Sequence, residues 1–124
     1  MSNKTLIPKI TKNVLSIHTQ GTVNDASDIM YAVSPVTGTV IYCAIVVTSG
    51  TSNAEEDFTL YNASAVAMTG GVATLANASA TLDSTNCSPT ANNSVTAGDF
   101  IYITPEGANI ANIQIKVSIL IEYD

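Results

Sequence analysis

In Ile113-Gln114-Ile115-Lys116-Val117-Ser118-Ile119-Leu120-Ile121-Glu122-Tyr123 every odd position is apolar, and every even one is polar except Leu120. Successive side chains leave a β-strand on opposite faces, so this period of two is that of a strand with one face buried. On a helix the same residues would scatter around the axis and bury nothing coherent. Burying Ile113, Ile115, Val117, Ile119 and Ile121 contributes about 1.5–3 kcal/mol each before chain entropy is counted. A strand this one-sided needs a second layer packed over it, which points to sheet on sheet.

Gly38–Thr48 differs in kind. Strict alternation turns Ile41, Cys43, Ile45 and Val47 to one face and Val40, Tyr42, Ala44 and Val46 to the other, so both faces are apolar. One face fits an inter-sheet core; the second needs its own cover, and a partner subunit is the simplest one. Val40, Tyr42, Ala44 and Val46 are therefore the expected subunit interface. Shorter strands are expected at Asp28–Val33, Asp57–Tyr61, Val72–Leu75 and Asp99–Thr104, separated by turns such as Ser34-Pro35-Val36-Thr37-Gly38, Gly70-Gly71 and Ala97-Gly98. Residues 76–94 are rich in Ala, Ser, Thr and Asn, with Leu82 as the one bulky apolar anchor, and fit a short strand or a long surface loop. These features predict an all-β, single-domain antiparallel β-sandwich, jelly-roll-like, in a chain of 124 residues.

Charge is scarce, at 11% of residues, and sorted by sign. Lys4, Lys9 and Lys12 precede every acid; beyond them stand one further base, Lys116, and all ten carboxylates. The sequence thus divides into an N-terminal docking arm, 1–18, and a β-sandwich domain, 19–124. Leu6, Ile7 and Ile10 interleave with the lysines, so the arm reads as a segment that docks on an acidic protein surface through Lys4, Leu6, Ile7, Lys9, Ile10 and Lys12. An acidic chain with pI near 4.3 lacks the basic footprint of a nucleic-acid binder. No apolar run approaches the ~20 residues that span a bilayer, and the lysines followed by Ile10-Thr11-Lys12-Asn13 offer no apolar h-region or small-residue cleavage site, so no export signal is expected. Synthesis and assembly inside a cell are expected, with Cys43 and Cys87 as free thiols.

Residues with catalytic potential are few. His18 is the one histidine, and a Cys/His nucleophile pair requires the fold to bring it to Cys43 or Cys87. Glu55-Glu56-Asp57 is the densest acidic spot; adjacent carboxylates without further ligands at suitable spacing read as a solvated loop more readily than as a calcium site. Asp99 after Ala97-Gly98 reads as a turn residue rather than a general base. Tyr31, Tyr42, Tyr61, Tyr102 and Tyr123 are spread among strands and read as packing residues. No catalytic, cofactor or metal site is assigned, and the chain is expected not to be an enzyme.

The run Ala32-Val33-Ser34-Pro35-Val36-Thr37-Gly38-Thr39-Val40 leads into an apolar strand. Asp57-Phe58-Thr59-Leu60-Tyr61-Asn62, Thr69-Gly70-Gly71 and Ser88-Pro89-Thr90-Ala91-Asn92-Asn93-Ser94-Val95-Thr96-Ala97-Gly98-Asp99-Phe100-Ile101 follow, before the closing alternating strand. Over residues 28–123 this resembles the small β-sandwich decoration (cement) and head-fibre proteins of tailed-phage virions; residues 1–27 match no pattern of that family. The resemblance implies a structural protein on the outer surface of a phage head, often a homotrimer, assembled in the host cytoplasm and bridging major capsid protein subunits. It implies no cofactor, nucleic acid or membrane partner. The alternative it leaves open is a receptor- or carbohydrate-binding module of a phage fibre, reading through loops 50–57 and 84–94.

Overall fold

A computed structural model describes residues 13–25, 27–107 and 112–124. Nine strands make up the described regular structure: β1 Asn13–Val23, β2 Met30–Val33, β3 Gly38–Ser49, β4 Glu56–Tyr61, β5 Ala67–Leu75, β6 Ser84–Cys87, β7 Ser94–Val95, β8 Phe100–Gly107 and β9 Ile113–Tyr123. They form two antiparallel sheets, one ordered β1-β9-β3-β6 with β7 also paired to β3, the other β2-β8-β4-β5. The chain passes back and forth between the sheets and ends with its last strand beside its first, the winding of a jelly roll.

β9 spans the residues its alternation marked out. Ile113, Ile115, Val117, Ile119 and Ile121 are buried between the sheets, while Gln114, Lys116, Ser118, Leu120 and Glu122 point outward. They are met from the first sheet by Val40, Cys43, Ile45 and Val47, and from the second by Met30, Ala32, Phe58, Leu60, Ala73, Leu75, Ile101 and Ile103.

β1 pairs with β9 along its whole length, from Asn13 opposite Tyr123 to Val23 opposite Ile113. Residues 13–18, expected in the arm, therefore belong to the sandwich, and the docking residues Lys4, Leu6, Ile7, Lys9, Ile10 and Lys12 lie outside the described residues. The inward positions of β1 are Leu15, Ile17, Thr19, Gly21 and Val23. Thr19 and Gly21 blunt the apolar signal, and a Cβ at Gly21 would press on the Met30 side chain of the facing sheet, 3.1 Å away.

β3 does not alternate strictly. Val40 stands opposite Ile121 and Tyr42 opposite Leu120, so Ile41 is an extra residue on this strand; a second irregularity falls between Val47 and Ser49. A bulge of one residue reverses the phase of everything beyond it. Val40 consequently faces the core, fully buried, and leaves the outward set of Tyr42, Ala44 and Val46. Its expected place in the subunit interface is corrected on that ground. Gly38, where β3 begins, is pressed against β9: a Cβ there would collide with the Glu122 carbonyl.

The 76–94 stretch holds the short edge strand β6 and runs into the two-residue β7. Leu82 is not its anchor, being 80% exposed. Polar bonds fix the segment instead. The Ser52 hydroxyl donates to the Ala76 carbonyl at 3.0 Å and accepts from the Ser79 amide at 2.9 Å, and Asn93 donates its side-chain amide to the Val40 carbonyl at 2.7 Å. Buried hydroxyls and amides matched in this way escape the desolvation cost that unpaired ones carry.

Candidate interaction surface

The largest exposed apolar side chains that adjoin one another lie on the outer face of the second sheet. Register sets Val33 opposite Phe100, and Tyr31, Tyr102 and Tyr61 in a row across β2, β8 and β4. Tyr31 meets Tyr102 edge-on with centroids 5.3 Å apart, and Phe100 edge-on at 6.1 Å, both within the favoured range for aromatic pairs. Tyr31, Val33 and Phe100 are nevertheless 54%, 50% and 49% exposed. Contiguous exposed apolar side chains of this kind are candidates for a contact surface. The tyrosines were expected to pack; on this face they pack against one another and not into the core.

One signal in the sequence reveals this face. Phe100 and Tyr102 alternate with Ile101 and Ile103, and Tyr31 and Val33 with Met30 and Ala32, so both strands are apolar on two sides, as 40–47 is. The pairing register that merges the two short runs into one surface is not visible from either run alone.

The far end of the same face is acidic. Glu106 stands opposite Asp57, with Glu56 one residue before it. The Tyr61 hydroxyl donates to Glu106 at 2.7 Å, which raises the tyrosine's pKa, and Thr74 donates to Asp57 at 2.7 Å. Like charges opposite each other oppose pairing, and these hydroxyls offset part of that repulsion. Glu56 points inward, is buried, and its Oε2 has no hydrogen-bond partner. The Glu55-Glu56-Asp57 run is thus not a solvated loop: Glu55 is exposed, while Glu56 and Asp57 belong to β4. Among the described residues no three His, Cys, Asp or Glu side chains are grouped to hold a metal ion.

Desolvation, with Asp57 and Glu106 adding to it, raises the Glu56 pKa above its ordinary 4.5. The native chain therefore holds this proton at a pH where the unfolded chain has released it. Stability falls as pH rises from 4.5 through the folded-state value, and the penalty is complete above it. Glu56→Gln is expected to raise stability at neutral pH by about 1 kcal/mol and to flatten that slope in pH-dependent urea unfolding. Asp25, whose pKa is lowered by bonds from Ser27, acts below its ordinary 3.8 and leaves this window clear.

The outer face of the first sheet is more mixed. Tyr42, Ala44 and Val46 lie beside Leu120, Ser118 and Lys116, and next to those on β1 are Ser16, His18 and Gln20. His18 is exposed, its Nε2 3.1 Å from the Ser16 hydroxyl and its Nδ1 3.0 Å from that of Ser118. Both ring nitrogens face hydroxyls, so no carboxylate orients the imidazole as a triad requires. Cys43 and Cys87 lie on the opposite, inner side of this sheet, and no Cys/His pair is assembled. Asp99 accepts from the Thr96 amide at 2.8 Å and closes the turn that Gly98, at φ +94°, makes possible.

No protein-family model matches the chain, and no curated protein matches it by sequence. Among solved structures it is similar to a chain of the cyanophage Pam1 capsid asymmetric unit, with a TM-score of 0.59 over 94% of this chain and 89% of that one. The two are 14% identical, so the likeness is one of fold.

Proposed function

We propose that the protein is a virion structural protein that decorates the exterior of a phage head and bridges major capsid protein subunits, acting as a homo-oligomer and not as an enzyme. The observation that carries this reading is the exposed aromatic face on a jelly roll whose only histidine, acidic run and cysteines form no catalytic constellation. The fold neighbour, a chain of a phage capsid asymmetric unit of similar length, supports the same reading.

Division of labour between the surfaces follows from their chemistry. The segment with Lys4, Leu6, Ile7, Lys9, Ile10 and Lys12 attaches to acidic capsid surface, and enters the sandwich at Asn13 on the edge of the first sheet. The aromatic face of the second sheet joins the copies. It displaces the expected Tyr42, Ala44 and Val46 surface from that role, because the latter is interrupted by Ser118, Lys116 and the polar row of β1.

Deleting residues 2–12 is expected to abolish binding to undecorated phage heads, measured by co-sedimentation, while the free protein keeps the wild-type number of copies per particle by native mass. Unchanged occupancy on the particles would sink the attachment role. A glycan-array signal lost on altering loops 50–57 and 84–94 would instead favour a receptor-binding module.

A further inference from the structure

Cys43 and Cys87, 44 positions apart in sequence, are direct register partners across β3 and β6. Directly opposed residues of antiparallel strands have Cα atoms about 4.5–5.5 Å apart, inside the ~4.4–6.8 Å over which disulfides form. Opposed side chains also share a face, here the inner one, where both thiols are buried and free. Each thiol shifts the other: the facing Cys87 and then burial raise the Cys43 pKa, so Cys43 keeps its proton, while Cys43 lowers the pKa of Cys87. Cys43 is fully buried, but Cys87 is 7% exposed, at the end of an edge strand. Of the two, Cys87 thus lies nearer solvent and is the one a small oxidant would meet first, with Cys43 to resolve the product.

We propose that Cys43 and Cys87 form an intramolecular cross-strand disulfide on exposure to a peroxide, and that this bond staples edge strand β6 to the middle of its sheet. The Cys87 thiolate attacks one peroxide oxygen; the O–O bond breaks, hydroxide leaves and takes up a proton, and Cys87 becomes a sulfenic acid. The Cys43 sulfur then attacks the Cys87 sulfur. Its S–H proton leaves with the sulfenic hydroxyl as water, and the S–S bond closes. Two thiols are oxidised, one hydrogen peroxide is reduced, and two waters are released.

The staple ties down a short edge strand. Between the two cysteines the chain leaves the first sheet, builds the β4–β5 pair of the second and returns as β6, a strand of four residues. Closing residues 44–86 into a covalent loop restricts the unfolded chain over both sheets. If the protein is a head-decoration protein, the thiols stay reduced during assembly in the host and meet oxidant after release. That timing rests on the proposed function; the thiol chemistry does not.

The test uses the purified, reduced full-length protein treated with hydrogen peroxide. Both thiols are expected to disappear together under denaturing titration, with the intact mass falling by about 2 Da, the two hydrogens lost. The product remains a single chain on a non-reducing gel, and its Tm rises by about 5–15 °C, reversed by dithiothreitol. In Cys43→Ala, peroxide is expected to add oxygen to Cys87 instead, trapped by a sulfenic-acid reagent. Two persisting thiols, oxygen addition in the wild type, an interchain disulfide or an unraised Tm would each overturn the proposal, whatever the protein does on a phage head.

Discussion

Replacing Phe58 with alanine is expected to destabilise the sandwich by about 3–5 kcal/mol, the usual cost of a phenylalanine-sized cavity in a core. Phe58 is the largest of the fully buried side chains and the one aromatic among them. It points inward from the middle of β4, opposite Pro105 on β8 and Ala73 on β5. Both neighbours are small or rigid, so neither can swing into the space a truncation leaves. A domain of this size has about 5–15 kcal/mol of stability in all, and losing about a fifth or more of it moves the urea midpoint far while leaving the m-value unchanged. Phe58→Leu keeps most of the volume and is expected to cost less than about 1.5 kcal/mol. Phe100→Ala supplies the contrast: the same residue type, half exposed, is expected to cost under about 1 kcal/mol. Equal losses at both positions would mean that the core is not where the burial places it.

How much of this was legible in the sequence depends on whether a strand obeys its own period. β9 does so throughout, and its boundaries and buried face both follow from alternation. β3 was recognisable as a strand apolar on both sides, but the extra residue at Ile41 is set by the pairing with β9, and nothing in a run of apolar residues marks it. Val40 was turned to the wrong face for that reason. β1 was hidden because its inward positions include Thr19 and Gly21 beside Leu15, Ile17 and Val23, which breaks the apolar alternation. Leu82 looked like an anchor since bulky apolar residues usually are, yet the loop is held by hydroxyl and amide bonds, which leave no hydrophobic pattern. The aromatic face was missed for a different reason. Its residues come from strands far apart in sequence, and only the Tyr31–Tyr102–Tyr61 register joins them.

On that face, Tyr31→Ser combined with Phe100→Ser is expected to convert the proposed oligomer to a folded monomer. Aromatic residues at the centre of an interface commonly contribute 2 kcal/mol or more each, so losing two should weaken association by about a thousandfold. Folding stability should change little, because both rings are half exposed and Ile101, Ile103, Met30 and Ala32 keep the buried side of the same strands intact. Native mass at micromolar concentration, together with urea unfolding, reads the two effects separately. Tyr42→Ser on the first sheet is the control, expected to leave the mass unchanged; a monomer there and an oligomer in the double variant would return the interface to Tyr42, Ala44 and Val46. A wild-type monomer would remove the interface altogether. The head-binding experiment then orders the two surfaces. A monomeric variant retains its docking segment but engages the shell through one arm at a time, so its occupancy should fall through lost avidity and recover at high concentration. The 2–12 deletion has no arm to engage at all, and for it added protein should restore nothing. Different concentration dependences are what distinguish a joint between copies from an attachment to the shell.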